Sequence, residues 1–251
     1  MNTEVHPSHQ PYSVWGLPGT LIWGLIIAVF FVATQSIVMG IYIGINHGKA
    51  ASSDYGKLVA DLQYNGQVLS ICTFASSLVC GLMLLGAVKL KKNSNLKHYL
   101  GFKAVDLQSL KFWFLVIISL IIVSDLLTLL LGKPIVPEFM TTIYKSTESK
   151  WLLWLALIVA APLFEELFFR GFLIPGISSS FLGPVGAIVI SATLWAAIHF
   201  QYDLYGMATI FVMGIVFGIA RIKSGSVLLT IGLHSFLNLA ATTQVFVSQS
   251  V

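Results

Sequence analysis

The chain has 251 residues, 57% of them hydrophobic and only 10% charged, against about 25% charged in a soluble domain. The formal charge of +4 collects in short connecting stretches rather than along one face, so it reads as membrane topology and excludes a nucleic-acid surface. Cys72 and Cys80 fall within one apolar run, which excludes a secreted disulfide framework.

A hydrocarbon layer about 30 Å thick takes about 20 helical residues to cross. Apolar runs of that order lie near 19–45, 66–88, 112–132, 151–175, 184–201, 205–221 and 226–247. The predicted fold is an all-α polytopic membrane protein with about seven to eight transmembrane helices and short interfacial helices. The stretch MNTEVHPSHQPYSVW holds no Lys or Arg, so it lacks the basic start of a cleavable signal peptide, and the first run is expected to stay as an anchor. Lys89, Lys91, Lys92, Lys97, Lys103 and Lys111 crowd the connection at 89–111, which the positive-inside rule places in the cytoplasm. The N-terminus, Arg221 and Lys223 then fall inside, and 46–65 and 133–150 outside; Lys133, Lys145 and Lys150 run against this orientation. Among those lysines, Leu96, Tyr99, Leu100, Val105, Leu107 and Leu110 follow rough helical spacing, which predicts an interfacial helix on anionic headgroups, a solvated loop being the alternative. The short loops fit a bacterial chain, hence a multi-pass protein of the inner (cell) membrane. With no internal repeat or soluble linker, residues 1–251 read as one membrane domain, with N-terminal helices over 1–132 and a more polar set over 151–247.

Ionisable groups inside a bilayer cost several kcal/mol each, so they are candidates for function. The densest set is APLFEELFFRGF. Glu166 and Arg170 are four apart with the acid first, the better order for an ion pair. Glu165 lies about 100° round the helix from Glu166; it needs another partner and is left available as a base. Two further segments are SATLWAAIHF, with Trp195 and His199 four apart, and LTIGLHSFLNLA, with His234 and Asn238 on one helix face. A carboxylate held out of water is a strong base, and an imidazole beside it can orient a water molecule. His234 and Asn238 can both donate to one point, as the oxyanion of a tetrahedral intermediate needs. Together these are parts for hydrolysing an amide inside a membrane; the same Glu and His residues could instead hold zinc. Counting residues along straight helices leaves Glu165 and His199 roughly 13 Å apart in depth. A site at middle depth or on its cytosolic side, with tilted or broken helices, is therefore expected.

In order and spacing these segments resemble the motifs of the CPBP intramembrane protease family, which includes type II CAAX prenyl endopeptidases and bacterial Abi or bacteriocin-immunity proteins. The resemblance covers roughly 160–240, within a catalytic core over 151–247. The EExxxR pattern is met by Glu165, Glu166 and Arg170, FxxxH by Trp195 and His199 with tryptophan in place of phenylalanine, and HxxxN by His234 and Asn238. It implies a glutamate-dependent intramembrane endopeptidase in which Glu165 and His199 activate water and His234 and Asn238 stabilise the oxyanion. Glu166, Arg170 and Trp195 support them. No metal is required on this reading, with zinc left open. The implied partners are peptide or membrane-protein substrates, lipidated ones included, and membrane lipids. HExxH, GxGD and a rhomboid-like serine elbow are not found.

Each of these groups also has a structural reading: a buried ion-pair cluster for Glu165, Glu166 and Arg170, and interhelical hydrogen bonding for His234 and Asn238. Asp125 belongs to no motif and is expected to have a structural partner. Asp203, in HFQYDLYG, is expected to cap a helix or form a turn. Gly214 and Gly218, in GIVFG, are expected to permit close helix packing. Nothing is assigned to His6, His9, His47 or His98. A non-catalytic binding protein of the Abi or immunity type is the competing function. A small transporter would need inverted repeats, and none is visible.

Overall fold

A computed structural model describes residues 12–48 and 55–250. Among them are ten helices and no strand: α1 Leu17–Asn46, α2 Tyr55–Leu62, α3 Gly66–Leu90, α4 Leu96–Leu100, α5 Leu107–Leu130, α6 Glu138–Ser146, α7 Lys150–Ser178, α8 Gly183–Ala197, α9 Leu204–Ser224 and α10 Val227–Ser248. Five of these, α1, α3, α5, α7 and α9, are long and apolar enough to cross a membrane. The remaining two expected spans are exceptional for physical reasons. With 15 residues, α8 reaches about 22 Å, short of a hydrocarbon layer of about 30 Å. The 22 residues of α10 include His234, Asn238, Thr242 and Gln244, which dilute its apolar character. Leu25, Ile45, Leu115 and Leu126 are all more than half exposed, as lipid-facing side chains are, so the chain is an all-α polytopic membrane protein. His6 and His9 lie outside the described residues.

Phe168, Phe169 and Phe172 of α7 pack with Trp195, Phe217 and Leu233 at the centre of the bundle. The close approach of α8 and α9 depends on glycine. A Cβ on Gly214 would stand 3.0 Å from that of Ala192, and one on Gly218 would stand 2.9 Å from Ile188 Cγ2, so GIVFG serves packing as expected.

The connections gather at two ends. At one, Ser13 N donates to Asn93 O at 2.9 Å and Val227 N to Gly101 O at 2.9 Å. At the other, Gly66 N donates to Ser146 Oγ at 2.9 Å, and Lys133 Nζ donates to Asp203 Oδ2 at 2.6 Å.

The expected interfacial helix takes a different form. Only Leu96–Leu100 is helical before α5 begins, because Asn95 caps its start, accepting from His98 N, and Gly101 ends it at φ +76°. Leu107 and Leu110 belong to α5. Tyr99 and Leu100 are buried instead of lying on headgroups. The Tyr99 ring stacks on Phe172 at 5.7 Å, and burial pushes its phenol up to about 12. Five residues are too few to form an amphipathic surface helix, but enough to plug the end of a bundle.

Candidate functional site

The fourth span is continuous but distorted, and the distortion has a traceable cause. Within α7 the chain widens into π-helical turns over Ala156–Ala160 and Leu167–Leu173, and each is followed by a proline, Pro162 or Pro175. In the first turn Ala161 N donates to Ala156 O, so Leu157 O loses its usual donor. The next residue able to reach it, five along, is Pro162, which has no N–H. Asn238 Nδ2 takes that carbonyl at 2.8 Å. The second turn repeats the pattern: Ile174 N donates to Phe169 O, Pro175 has no donor, and Arg170 O accepts from Arg221 Nε at 3.1 Å. A buried carbonyl without a partner is costly, and in both cases a polar side chain from another helix removes the cost.

Between the two π turns stand the adjacent glutamates, and their surroundings differ. Glu166 and Arg170 are both 0% exposed. Arg170 Nη1 donates to Glu166 Oε1 at 2.8 Å, and His234 Nδ1–H donates to the same oxygen at 3.0 Å. Arg170 Nη2 reaches Gly214 O at 3.3 Å, while its guanidinium lies 4.5 Å above the Trp195 ring. A buried ion pair is tolerated only when attraction and extra hydrogen bonds offset desolvation; this pair has the attraction and the bonds to His234 and Gly214, while Glu166 Oε2 and Arg170 Nε are buried without a hydrogen-bond partner. The His234 ring is held edge-on by Trp195 at 5.1 Å and packs against Phe217 at 5.5 Å.

Glu165 is half-buried. Trp195 Nε1 donates to its Oε2 at 2.5 Å. On the next turn His199 Nδ1–H donates to Trp195 O at 2.7 Å; in the neutral ring this leaves the lone pair on Nε2. Tyr202 packs 6.3 Å from His199 and 5.7 Å from Phe139 of α6. Asp203 then caps α9, accepting from Gly206 N at 2.8 Å. The hydrogen bond from Lys133 is the main reason that the Asp203 carboxyl is held below the usual carboxylate range, with the Gly206 amide adding to it.

The sequence-predicted residues therefore form two linked groups sharing Trp195: Glu165 with Trp195 and His199, and Glu166 with Arg170 and His234. Asn238, four residues from His234, is engaged with Leu157. Asp125 has a structural partner, accepting from Gln244 Nε2 at 2.7 Å. Two roles went unread in the sequence. The supporting role expected of Trp195 includes one that its motif position does not reveal, because its indole N–H is a donor that phenylalanine lacks. Arg221, read as a cytoplasmic charge, is 8% exposed and serves the second π turn. The one available signal for the latter was Pro175 following an EExxxR segment. Among the described residues, no group of three or more His, Cys, Asp or Glu is arranged to hold a metal ion.

Residues 147–240 match the family described as type II CAAX prenyl endopeptidase Rce1-like. The likeness to that family covers this stretch of the chain, which contains every motif residue named above. An uncharacterized 24.3 kDa protein of Escherichia coli is 36% identical over 113 residues, covering 42% of this chain and 52% of that protein. The chain thus spans about half the length of the curated relative it matches. No solved structure matches.

Proposed function

We propose that the protein hydrolyses peptide bonds within the membrane, using Glu165 as general base. The observation that carries this reading is the contrast between the two glutamates. Glu166 is fully buried and neutralised by Arg170 and His234. Glu165 is half-buried and held by an uncharged indole, which leaves Oε1 for a water molecule. His199 Nε2, on the turn beyond Trp195, is suited to accept from the same water. Glu165 takes the proton as the water oxygen bonds to the scissile carbonyl carbon. The C–N bond then breaks, and Glu165 returns that proton to the leaving amine.

His234 and the second N–H of Asn238 are the donors proposed for the oxyanion. Because His234 Nδ1–H is committed to Glu166, donation from Nε2 requires the doubly protonated ring. Glu166 is placed to serve as its counter-ion. The proposed substrates are peptides or membrane-protein segments, lipidated ones included, and no metal is required.

The test is cleavage of a quenched peptide library by the detergent-purified protein, beside Glu165→Gln and His199→Gln, with and without chelator. Loss in both variants and indifference to chelator support the reading. Loss with chelator, restored by zinc, assigns the chemistry to a metal. A wild type inert on every peptide, prenylated or not, leaves the immunity-type binding function.

A further inference from the structure

Buried charges in a folded chain are paired, because an unpaired one gives up its hydration without return. Glu166 and Arg170 obey this, but Arg221 does not. It is 8% exposed and forms no ion pair with any Asp or Glu among the described residues. Its hydrogen bond runs from Nε to Arg170 O at 3.1 Å. Nη1 and Nη2 have no partner among the described residues, and unlike Arg170 Nε they are not sealed from the surface. Arg221 lies in the last turn of α9, where the partial negative charge of a helix C-terminus would favour it. Gly225 ends that helix, Ser226 caps the next, and α10 begins at Val227. The positive end of α10 therefore adjoins the negative end of α9 and offsets its field.

The guanidinium sits where two connections are stitched together. Val227 N donates to Gly101 O at 2.9 Å, and Ser226 Oγ donates to Lys103 O. Gly101 and Gly225, at the turn of each connection, hold φ at +76° and +68°. A Cβ on Gly101 would stand 2.5 Å from Arg221 Nη2 and 2.7 Å from Gly225 O, and one on Gly225 would meet Lys103 Cδ at 4.0 Å. Two cations, Arg221 buried and Lys103 exposed, thus flank a stretch of backbone left bare by glycine. Residues 91–111 and 221–229, at this end of the bundle, carry seven Lys and Arg against one acid, Asp106. That acid is committed to the start of α5, accepting from Ser109 N at 2.8 Å and Ser109 Oγ at 2.7 Å. The positive charge is therefore left for an anion from outside the chain. Three residues from the end of α9, Arg221 lies about 5 Å inside it, close to the level of lipid phosphates.

We propose that Arg221 and Lys103 form a binding site for a phosphate group, carried by an anionic phospholipid or present as the free ion. The planar fork of arginine takes two phosphate oxygens, Lys103 supplies a second charge on a mobile stem, and the N-terminus of α10 adds a favourable dipole. Basic groups at the ends of transmembrane helices recognise anionic headgroups in this way. Because Arg221 Nε also holds Arg170 O, an anion on the outer side of the guanidinium steadies the second π turn through the same side chain. The site is independent of the peptidase chemistry.

The experiment measures thermal unfolding of the full chain in detergent with phosphatidylglycerol, phosphatidylcholine or inorganic phosphate added. The proteins are wild type, Arg221→Gln, Lys103→Gln and Lys97→Gln, the last removing another exposed lysine of the same end. A ligand at about a hundred times its Kd should raise the wild-type melting temperature by about 5–11 °C. Such a rise is expected with phosphatidylglycerol, at least halved by Arg221→Gln and by Lys103→Gln and kept by Lys97→Gln, with slower amide exchange over 167–174. Phosphatidylcholine, whose own ammonium offsets its phosphate, should give less than half of it. Inorganic phosphate reproducing the dependence on both variants identifies the free ion as the ligand; failing to do so identifies the lipid headgroup. Should Arg221→Gln not fold, Lys103→Gln, whose side chain is exposed, decides. An equal rise in all the proteins, an equal rise with the zwitterionic lipid, or no rise with any addition overturns the proposal.

Discussion

Two neighbouring glutamates should respond in opposite ways to substitution. Arg170→Met removes the cation from Glu166, leaving a carboxylate that is 0% exposed with only His234 to offset it. Breaking a buried pair in this way costs about 3–5 kcal/mol. For a chain of this size each kcal/mol lowers the melting temperature by about 2–4 °C, so a fall of roughly 6–20 °C is expected. Adding Glu166→Gln removes the stranded charge and should restore most of the loss, since a neutral, packed replacement of a buried pair is often close to neutral. Glu165→Gln behaves differently. The glutamine oxygen still accepts from Trp195 Nε1, and the side chain is half-buried, so melting should move by less than about 4 °C. Its activity should fall at least about 100-fold, the lower end of what a positioned general base contributes. The assay is thermal unfolding in detergent beside peptidase rates on the same preparations. Equal destabilisation by Glu165→Gln and Arg170→Met would refute the division of labour, as would wild-type melting of Arg170→Met.

Asn238→Ala orphans the Leu157 carbonyl and should cost about 1–3 kcal/mol, read as a lower melting temperature with faster amide exchange around 157–162; Asn238→Asp, whose carboxylate cannot donate, should not restore it. Gly218→Val places atoms against Ile188, where even a Cβ would stand at 2.9 Å; overpacking of this kind costs about 1–3 kcal/mol, and adding Ile188→Ala should recover part of it. The depressed Asp203 carboxyl contributes stability above the ordinary carboxylate range, and that contribution is lost as pH falls through its lower folded value. Asp203→Asn should therefore flatten the acid side of a melting-temperature-against-pH curve without altering the neutral plateau's shape.

How much of this was legible in the sequence depended on the range of the interaction. The five long apolar helices follow from the thickness of a bilayer, and the Glu166–Arg170 pair from helical periodicity, because both are local. The π turns lay beyond such reasoning: spacing arguments assume a uniform 3.6-residue turn, and only the backbone shows that Ala161 and Ile174 each donate five residues back. The contacts of Asn238 with Leu157 O and of Arg221 with Arg170 O are beyond spacing arguments for that reason: each answers a carbonyl stranded by a proline on α7. Trp195 illustrates a second limit. Substituting tryptophan for phenylalanine looks conservative by volume, but the indole N–H acquires meaning only where a tertiary fold brings a carboxylate to it. The same logic explains why the α4 segment was misplaced: its pattern of apolar residues among lysines suits both a headgroup surface and a bundle end, and the choice is made by Gly171, whose missing side chain leaves room for Leu100.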